Sequence, residues 1–230
     1  EDYLDGGSGA DTMVGGYGDD FYVVDDSGDV IVEFAEEGYE WVEVYASSYT
    51  LPDHLEEAYI INSGGASLTG NAQANWISPD DGNDTLDGGA GIDTLFYYGS
   101  NSAVTVSLAQ TAAKNTGGSG TDTILNFENL FGGSYNDSLT GNDTDNLLQG
   151  SSGSDTLNGG AGNDTLDGGS GTDSLTGGDG DDLLIGGSGL DTLIGGNGND
   201  TYILHSSDGS DVITEDNAGP DGGRDSVHFN

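Results

Sequence analysis

The chain has 230 residues, of which 42 are acidic and two are basic, and its formal net charge is −40 at pH 7. This charge excludes nucleic acids and anionic membrane surfaces as electrostatic partners, so the natural partners of the chain are cations. The absence of cysteine excludes disulfide bonds and zinc thiolate sites, and no apolar run approaches the roughly 18 residues of a membrane-spanning helix.

The beginning of the chain indicates a repetitive fold. Gly6–Val14 and Gly15–Val23 each match the nine-residue phrase Gly-Gly-x-Gly-x-Asp-x-U-x, in which U is large and apolar, and they carry Asp11 and Asp20. The paired glycines can adopt positive φ in a tight turn, and the last three positions form a minimal strand. We therefore predict a short β-roll in residues 1–24. Because the chain starts inside a repeat and without methionine, we expect it to be a piece of a longer protein.

Residues 25–79 are predicted to be a β-rich spacer. Asp29–Glu33 and Trp41–Tyr45 are short β-rich segments with acidic turns between them. Only Pro52–Ala58 could form a single turn of helix. Some aromatic side chains in and near the spacers would form either spacer core or a ligand surface: Tyr39, Trp41, Tyr97 and Tyr98.

Residues 80–96 are predicted to be a second short β-roll, with Asp84 and Asp93 at the aspartate position of the phrase. Residues 97–131 are predicted to be another β-rich spacer, which contains an alternating strand and a single phrase with Asp122. The chain is thus expected to consist of two unequal solenoid segments joined by β-rich spacers.

Residues 132–203 contain eight uninterrupted copies of the phrase. A short fixed period predicts a solenoid, in which each unit buries its apolar residue by stacking on its neighbours. If each phrase is half a coil, alternate phrases stack. The aspartate position then forms two columns, with Asp137, Asp155, Asp173 and Asp191 in one and Asn146, Asp164, Asp182 and Asp200 in the other. Residues 204–230 are predicted to be a truncated β-rich capping block.

Stacked turns would place like-charged carboxylates about 5 Å apart, where each contact costs roughly 3 kcal/mol at an effective dielectric constant near 20. A hard divalent cation removes this repulsion. Ca²⁺ accepts carboxylate and carbonyl oxygens in flexible geometry, whereas Mg²⁺ needs a tighter octahedron. We predict several Ca²⁺ ions, on the order of six in the main run. The predicted metal ligands are Asp11, Asp20, Asp84, Asp93, Asp122, Asp137, Asp155, Asp164, Asp173, Asp182, Asp191 and Asp200.

The repeated phrase resembles the RTX (repeat-in-toxin, haemolysin-type) nonapeptide of secreted bacterial proteins. The resemblance implies an all-β fold, a right-handed parallel β-roll solenoid with rows of Ca²⁺ ions, export by a type I secretion machinery, and folding outside the cell. The chain departs from the pattern at Tyr135, Asp145, Asn146 and Leu190, and it has Glu40-Trp41-Val42 where related sequences would carry Asp-Thr-Val. Glycine-rich acidic composition would also suit a disordered linker, but eight in-register copies argue against one.

Known catalytic motifs are not present in this sequence. His54, His205 and His228 are scattered, and there is no His-Glu-x-x-His motif, Gly-x-Ser-x-Gly elbow, phosphate-binding loop or EF-hand loop. The carboxylates recur at one repeat position, so ion binding explains all of them, whereas glycoside hydrolysis would explain only a pair. We therefore expect no enzyme activity in this segment.

These patterns predict a calcium-binding module that stays unfolded without Ca²⁺, and the resemblance implies that it is secreted, extracellular and folds after export. Two roles within a larger protein remain open. The segment would support the export and stability of a catalytic domain in the same chain, or it would be a spacer or attachment element of a large bacterial adhesin or surface-layer protein.

Overall fold

A computed structural model describes residues 1–204, 209–214 and 223–229, and within these residues it contains strands and turns but no helix. The prediction of an all-β fold is confirmed. The first strands are β1 Tyr3–Asp5, β2 Thr12–Val14, β3 Phe21–Val24, β4 Val30–Val32, β5 Trp41–Val44, β6 Ser48–Thr50, β7 Glu57–Ile60, β8 Ser67–Thr69, β9 Trp76–Ser78, β10 Thr85–Asp87, β11 Thr94–Phe96, β12 Thr105–Ser107, β13 Lys114–Gly117 and β14 Gly120–Leu125. The remaining strands are β15 Asn129–Phe131, β16 Ser138–Thr140, β17 Leu147–Gln149, β18 Thr156–Ala161, β19 Thr165–Asp167, β20 Ser170–Gly171, β21 Ser174–Asp179, β22 Leu183–Ile185, β23 Ser188–Gly189, β24 Thr192–Asn197, β25 Thr201–Leu204, β26 Val212–Thr214 and β27 Ser226–Phe229.

The chain forms two compact units. Unit 1 comprises Glu1–Gly99 and Thr111–Phe127, and unit 2 comprises Ser100–Gln110 and the described part of Glu128–Asn230. Each unit is a β-solenoid of parallel, stacked strands.

In unit 1, one sheet has the order β1-β3-β5-β7-β9-β11, with all pairs parallel and in register. The other side consists of the pair β2-β4 and the series β6-β8-β10-β14, and β13 lies antiparallel to β14. Residues 25–79, the predicted spacer, supply β4 to β9. They therefore add coils to this solenoid, although the sequence predicted a spacer.

In unit 2, the two sheets have the orders β15-β17-β19-β22-β25-β27 and β12-β16-β18-β21-β24-β26. Register partners within the run are 18 residues apart, as in the series Leu147, Thr165 and Leu183. Alternate phrases therefore stack, as the sequence predicted. The described strands of the predicted capping block, β26 and β27, extend the two sheets, whereas residues 205–208, 215–222 and 230 lie outside the described part of the chain.

The core of unit 2 is a double column of leucines. The central residue of each short strand points inward, because neighbouring strand residues alternate between faces. These side chains are at most 1% exposed: Leu139, Leu157, Leu175 and Leu193 in one sheet, and Leu148, Leu166, Leu184 and Tyr202 in the other. Unit 1 has bulkier buried side chains, among them Tyr22, Tyr97 and Phe127. The predicted thin core is thus confined to the nonapeptide run.

The two glycines that open each phrase have different roles. Gly160 has φ of +110°, in the region that favours glycine, and a Cβ there would lie 2.5 Å from the Asn142 carbonyl oxygen of the preceding coil. Gly159 does not have positive φ, and a Cβ there would collide with Oδ2 of Asp164 in the same phrase. The interpretation that both glycines provide positive φ is therefore wrong for the first one, which makes room for the aspartate.

Position five of the phrase forms a hydrogen-bonded ladder on the outside of unit 2. The backbone N–H of Asn163 donates to Asp145 Oδ1 at 2.7 Å, that of Asp181 donates to Asn163 Oδ1 at 2.8 Å, and that of Asn199 donates to Asp181 Oδ1 at 2.7 Å. These bonds join successive coils at the surface. They explain why short polar side chains fill a position that the repeat pattern leaves open.

Replacing a core leucine should be far more costly than replacing the exposed leucine of the same run. We expect Leu166→Ala to lower the free energy of unfolding by about 2 to 5 kcal/mol, because it leaves a cavity in a one-residue-wide core. The control Leu190→Ala should change it by less than about 0.5 kcal/mol, since Leu190 is 59% exposed. Denaturant unfolding in saturating Ca²⁺ measures both, and equal losses would contradict the assigned core.

Candidate metal centre

The aspartates of the main run lie at the entrance to each strand and are buried. Each one directly precedes a strand, so the parallel register stacks them one coil apart. Their exposed fractions lie between 1% and 3%: Asp137, Asp155, Asp164, Asp173, Asp182, Asp191 and Asp200. Buried carboxylates need hydrogen-bonding or ionic partners, so the surroundings of each oxygen decide what the site does.

One oxygen of each aspartate belongs to a structural ladder. The backbone N–H of Asp155 donates to Asp173 Oδ1 at 2.8 Å, and that of Asp164 donates to Asp182 Oδ1 at 2.7 Å. The same bond links every neighbouring pair in both columns, and at the end of the run Asp191 and Asp200 donate to Asp211 and Asp225 at 3.0 Å. Oδ1 therefore holds successive coils in register.

The second oxygen is buried without a hydrogen-bond partner at many of these positions. Oδ2 has no partner in Asp155, Asp164, Asp173, Asp182 and Asp200, and the same holds for Asp20 and Asp84 in unit 1. An unpaired buried carboxylate oxygen is strongly unfavourable, and native structures contain few of them. These oxygens therefore point to a ligand that replaces the hydration they lost.

The space beside these oxygens contains a second kind of oxygen. A Cβ at Gly168 would lie 2.6 Å from Asp173 Oδ2 and 2.7 Å from the carbonyl oxygen of Gly186 in the next coil. Gly159 and Gly177 have the same arrangement with Asp164 and Asp182. Carboxylate and carbonyl oxygens without nitrogen or sulfur donors are the ligand set that Ca²⁺ prefers, so the residues fit this ion.

Burial raises the pKa of the carboxyl groups in the run. The pKa rises from 3.8 to about 6 in Asp155, Asp164 and Asp173 and to about 7 in Asp182, mainly because the charged form loses water. In each of these four residues, the hydrogen bond from a backbone N–H opposes the shift. Burial of the ionised carboxylates therefore lowers the free energy of unfolding when no cation is bound.

Cations on the protein itself do not neutralise these groups. In the described residues, the one ion pair joins the amino terminus to Asp20 Oδ1 at 3.9 Å, and no group of three His, Cys, Asp or Glu side chains converges on one point. An ion in the main run would therefore draw on one or two carboxylates and on backbone carbonyls for its other ligands.

The predicted residues outside the main run are arranged differently. Asp84 stacks directly on Asp122, and its backbone N–H donates to Asp122 Oδ1 at 2.9 Å. Asp122 Oδ2 accepts a hydrogen bond from Thr116 Oγ1 at 2.8 Å, so both of its oxygens are engaged. Within the main run, Asp137 is engaged in the same way, because its two oxygens accept hydrogen bonds from the backbone N–H groups of Val104 and Gly133.

Three predicted ligands in unit 1 do not stack on another member of the predicted set within that unit. Asp11 stacks on Asp29, and Asp93 accepts a hydrogen bond from the backbone N–H of Asn75. Asp20 has Asp2 on one side and, since Phe21 is the register partner of Trp41, Glu40 on the other. The stacking neighbours of these three residues within the unit are therefore residues that the predicted ligand set does not include.

Sequence reasoning missed several residues at the same structural position. Asp29, Asp211 and Asp225 accept the ladder bond, and each directly precedes a strand. The order aspartate, any residue, apolar residue was the signal that could have found them. Glu40, where the sequence weakened the case for a ligand, also lies at this position and is 2% exposed.

In the described residues, no helix is long and apolar enough to cross a membrane. A comparison with curated proteins found no match. A family model for the RTX calcium-binding nonapeptide repeat, in four copies, matches residues 1–31, 61–95, 127–147, 140–175 and 167–202, which together are more than half of the chain.

Fold and site together define a calcium-binding β-roll, a structural and non-catalytic kind of domain. The chain belongs to the RTX calcium-binding nonapeptide repeat family. The resemblance inferred from the sequence is confirmed, and proteins with this repeat are typically secreted.

The first glycine of a phrase should tolerate no side chain. We expect Gly177→Ala to lower the free energy of unfolding in Ca²⁺ by about 1 to 3 kcal/mol, because a Cβ would collide with Asp182 Oδ2 and lie 2.6 Å from the Gly195 carbonyl oxygen. Gly99→Ala is the control, since a Cβ there meets nothing within 4 Å. Thermal unfolding of both variants measures the difference, and an unaffected Gly177→Ala variant would contradict the geometry.

Acid should stabilise the metal-free fold. The pKa values of these carboxyls are about 6 to 7 in the folded state, against 3.8 for an ordinary carboxyl. Between pH 3.8 and about 7 the folded state therefore binds more protons than the unfolded state, so the free energy of unfolding falls as the pH rises through this range. We expect the metal-free protein to be more folded at pH 5 than at pH 8 by circular dichroism.

A test variant and a matched control variant, each with four fewer acidic charges, check the origin of this pH effect. Asp→Asn changes at the buried residues 155, 164, 173 and 182 should clearly reduce the pH dependence, whereas Asp→Asn changes at the exposed residues 143, 145, 179 and 181 should not reduce it. Stability that rises with pH in chelator would contradict the assignment.

Proposed function

We propose that this chain is a Ca²⁺-dependent folding module, and that its buried, unpartnered aspartate oxygens are the ion ligands. The observation that carries the proposal is the row of Oδ2 atoms in Asp155, Asp164, Asp173 and Asp182, each buried without a hydrogen-bond partner. The proposed ligands are the twelve aspartates predicted from the sequence. Those with an unpartnered Oδ2 would be the strongest, whereas Asp122 and Asp137 would first have to release a hydrogen bond.

Without a cation, three features of the chain oppose folding. The carboxylates lose water on burial, the net charge is −40, and the core of the main run contributes a single apolar side chain per phrase. Bound Ca²⁺ supplies positive charge and an oxygen-coordinating centre that links two coils. The Oδ1 ladder then fixes the strand register, because each ladder bond joins the same two coils.

The free energy available from Ca²⁺ is sufficient for such a switch. A site filled at 100 times its dissociation constant contributes about 2.7 kcal/mol, so roughly six sites would contribute about 16 kcal/mol. Typical domains have a total stability of about 5 to 15 kcal/mol. Binding should also be cooperative, because each ion needs both of its coils to be formed.

The biological role that we propose is export in the unfolded state followed by folding outside the cell. An extended, acidic chain suits passage through a type I secretion machinery, and the extracellular calcium concentration would then trigger folding. The predicted boundaries remain part of this proposal: short β-rolls in residues 1–24 and 80–96, spacers in 25–79 and 97–131, the main run in 132–203 and a capping block in 204–230.

We propose no catalytic role for this segment and place any activity in another domain of the parent chain. A second candidate function is a spacer or attachment element of a bacterial adhesin or surface-layer protein. The observation that favours it is the continuous stacking of β3, β5, β7 and β9 in unit 1, in which residues of the predicted spacer 25–79 add coils to the solenoid.

The test is a Ca²⁺ titration of metal-stripped protein followed by circular dichroism, with Mg²⁺ in a parallel series. We expect a steep transition from coil to β structure with Ca²⁺ alone, and a transition displaced to higher Ca²⁺ in the variant Asp164→Asn/Asp182→Asn. The control Asp143→Asn/Asp145→Asn removes two exposed charges of the same type and should leave the midpoint nearly unchanged. A complete fold in chelator at neutral pH would overturn the proposal.

A further inference from the structure

A second group of buried carboxylates lies in unit 1. It combines one nonapeptide aspartate, Asp20, with two glutamates that are not part of the predicted ligand set, Glu33 and Glu40. Val14 is the register partner of Val32, so Glu33 follows its strand where Gly15 follows the neighbouring one. Glu33 thus replaces the first glycine of a phrase. Its side chain is only 8% exposed, and its Oε1 accepts a hydrogen bond from the Tyr22 hydroxyl.

Three oxygens from different residues surround the space that Gly15 leaves open. A Cβ at Gly15 would collide with the Tyr22 hydroxyl and Asp20 Oδ2 and would lie 2.6 Å from Glu33 Oε1. Glu40 lies one coil from Asp20, at the same position before its strand. Its backbone N–H donates to Glu56 Oε2 at 2.9 Å, so a fourth carboxylate lies at the edge of the group.

Each of the three inner carboxylates has a buried oxygen without a hydrogen-bond partner. These atoms are Asp20 Oδ2, Glu33 Oε2 and Glu40 Oε1, in residues that are 0%, 8% and 2% exposed. Burial and the neighbouring Glu56, Glu33 and Asp20 raise the pKa of Glu40 to about 8. The amino terminus lies near Asp20 Oδ1, the same oxygen that accepts a hydrogen bond from the backbone N–H of Asp2. It forms no ion pair with the unpartnered oxygens.

We propose that Asp20, Glu33 and Glu40 form a Ca²⁺ site that is distinct from the repeated sites of the nonapeptide run. Asp20 and Glu33 already flank one space. In the described residues no three carboxylates converge on one point, so ion binding at this site requires the Glu40 side chain to rotate toward that space. The ligands are all oxygens, which selects a hard cation, and Ca²⁺ accepts an irregular set of oxygen ligands more readily than Mg²⁺, which needs a near-ideal octahedron.

The ligand charge at this site differs from that of the main run. Three carboxylates would carry a formal charge of −3, whereas each coil of the main run contributes a single buried aspartate to a column. Because Ca²⁺ affinity rises with the number of charged ligands, this site should take its ion at lower concentration than the sites of the run.

Terbium luminescence and calcium stoichiometry test the site in the full chain. Tb³⁺ replaces Ca²⁺ at oxygen sites and is excited through a nearby indole, and Trp41 directly follows Glu40, with Trp76 as the other tryptophan. We expect tryptophan-sensitised Tb³⁺ emission that Ca²⁺ suppresses by competition. Trp41→Phe should remove the part that comes from this site, whereas Trp76→Phe should remove only the part from ions near Asp93, since Trp76 pairs in register with Thr94.

The decisive variant is Glu33→Gln/Glu40→Gln, which removes two charges without removing volume. It should lose the Trp41-sensitised emission and one bound Ca²⁺ per chain, measured by equilibrium dialysis. The control Glu36→Gln/Glu43→Gln removes two charges of the same type outside the cluster and should lose neither. Unchanged emission and stoichiometry in the first variant would overturn the proposal and identify a cluster that only shares protons.

Two further measurements keep this test separate from that of the nonapeptide run. Circular dichroism of the double variant establishes that it folds in Ca²⁺, and Glu40→Gln alone replaces it if it does not, with the same expected loss of one ion. Asp164→Asn/Asp182→Asn should retain the Trp41-sensitised emission. If the run bound no Ca²⁺, the double variant would still lose one ion, so the two proposals fail independently.

Discussion

The burial of one carboxylate per phrase is the constraint on which the rest of the structure depends. A parallel stack brings successive aspartates within one strand spacing, and the glycine-rich turns that carry them leave no basic side chain to neutralise them. The two carboxylate oxygens of each aspartate have different roles. In Asp173, for example, Oδ1 accepts the backbone N–H of Asp155 and sets the register, whereas Oδ2 is left for an ion. Strand register and ion binding are therefore coupled in the same side chain.

This coupling gives each recurring position of the phrase a physical reason. The first glycine leaves space for the Oδ2 atom, as Gly159 does for Asp164, and the second provides positive φ, as in Gly160. The fifth position joins coils at the surface through short polar side chains such as Asn163. The eighth supplies the buried leucine, such as Leu166. A change at any of these positions disturbs a contact between two coils rather than a contact within one.

The sequence predicted what depends on period and could not predict what depends on contact between coils. The inward leucines such as Leu166 and Leu175 followed from the repeated phrase, and alternate stacking followed from the nine-residue spacing with the assumption that each phrase is half a coil. The Oδ1 ladder did not, because it joins atoms 18 residues apart whose distance only the stacked backbone determines. Glu40 shows the same limit. As a glutamate it departs from the phrase, yet the pairing of Trp41 with Phe21 places Glu40 beside Asp20, at the aspartate position.

The two units stabilise the same backbone geometry in different ways. Unit 2 buries little more than leucines in its run, so its stability must come largely from what neutralises its aspartates. Unit 1 fills its coils with Tyr22, Tyr97 and Phe127, and full burial of such side chains contributes several kcal/mol in total. A larger core allows departures from the phrase, and Glu33 in a glycine position is one of them. The irregular coils are therefore where the chain can gather several carboxylates at one place, which a strict repeat with one aspartate per phrase cannot do.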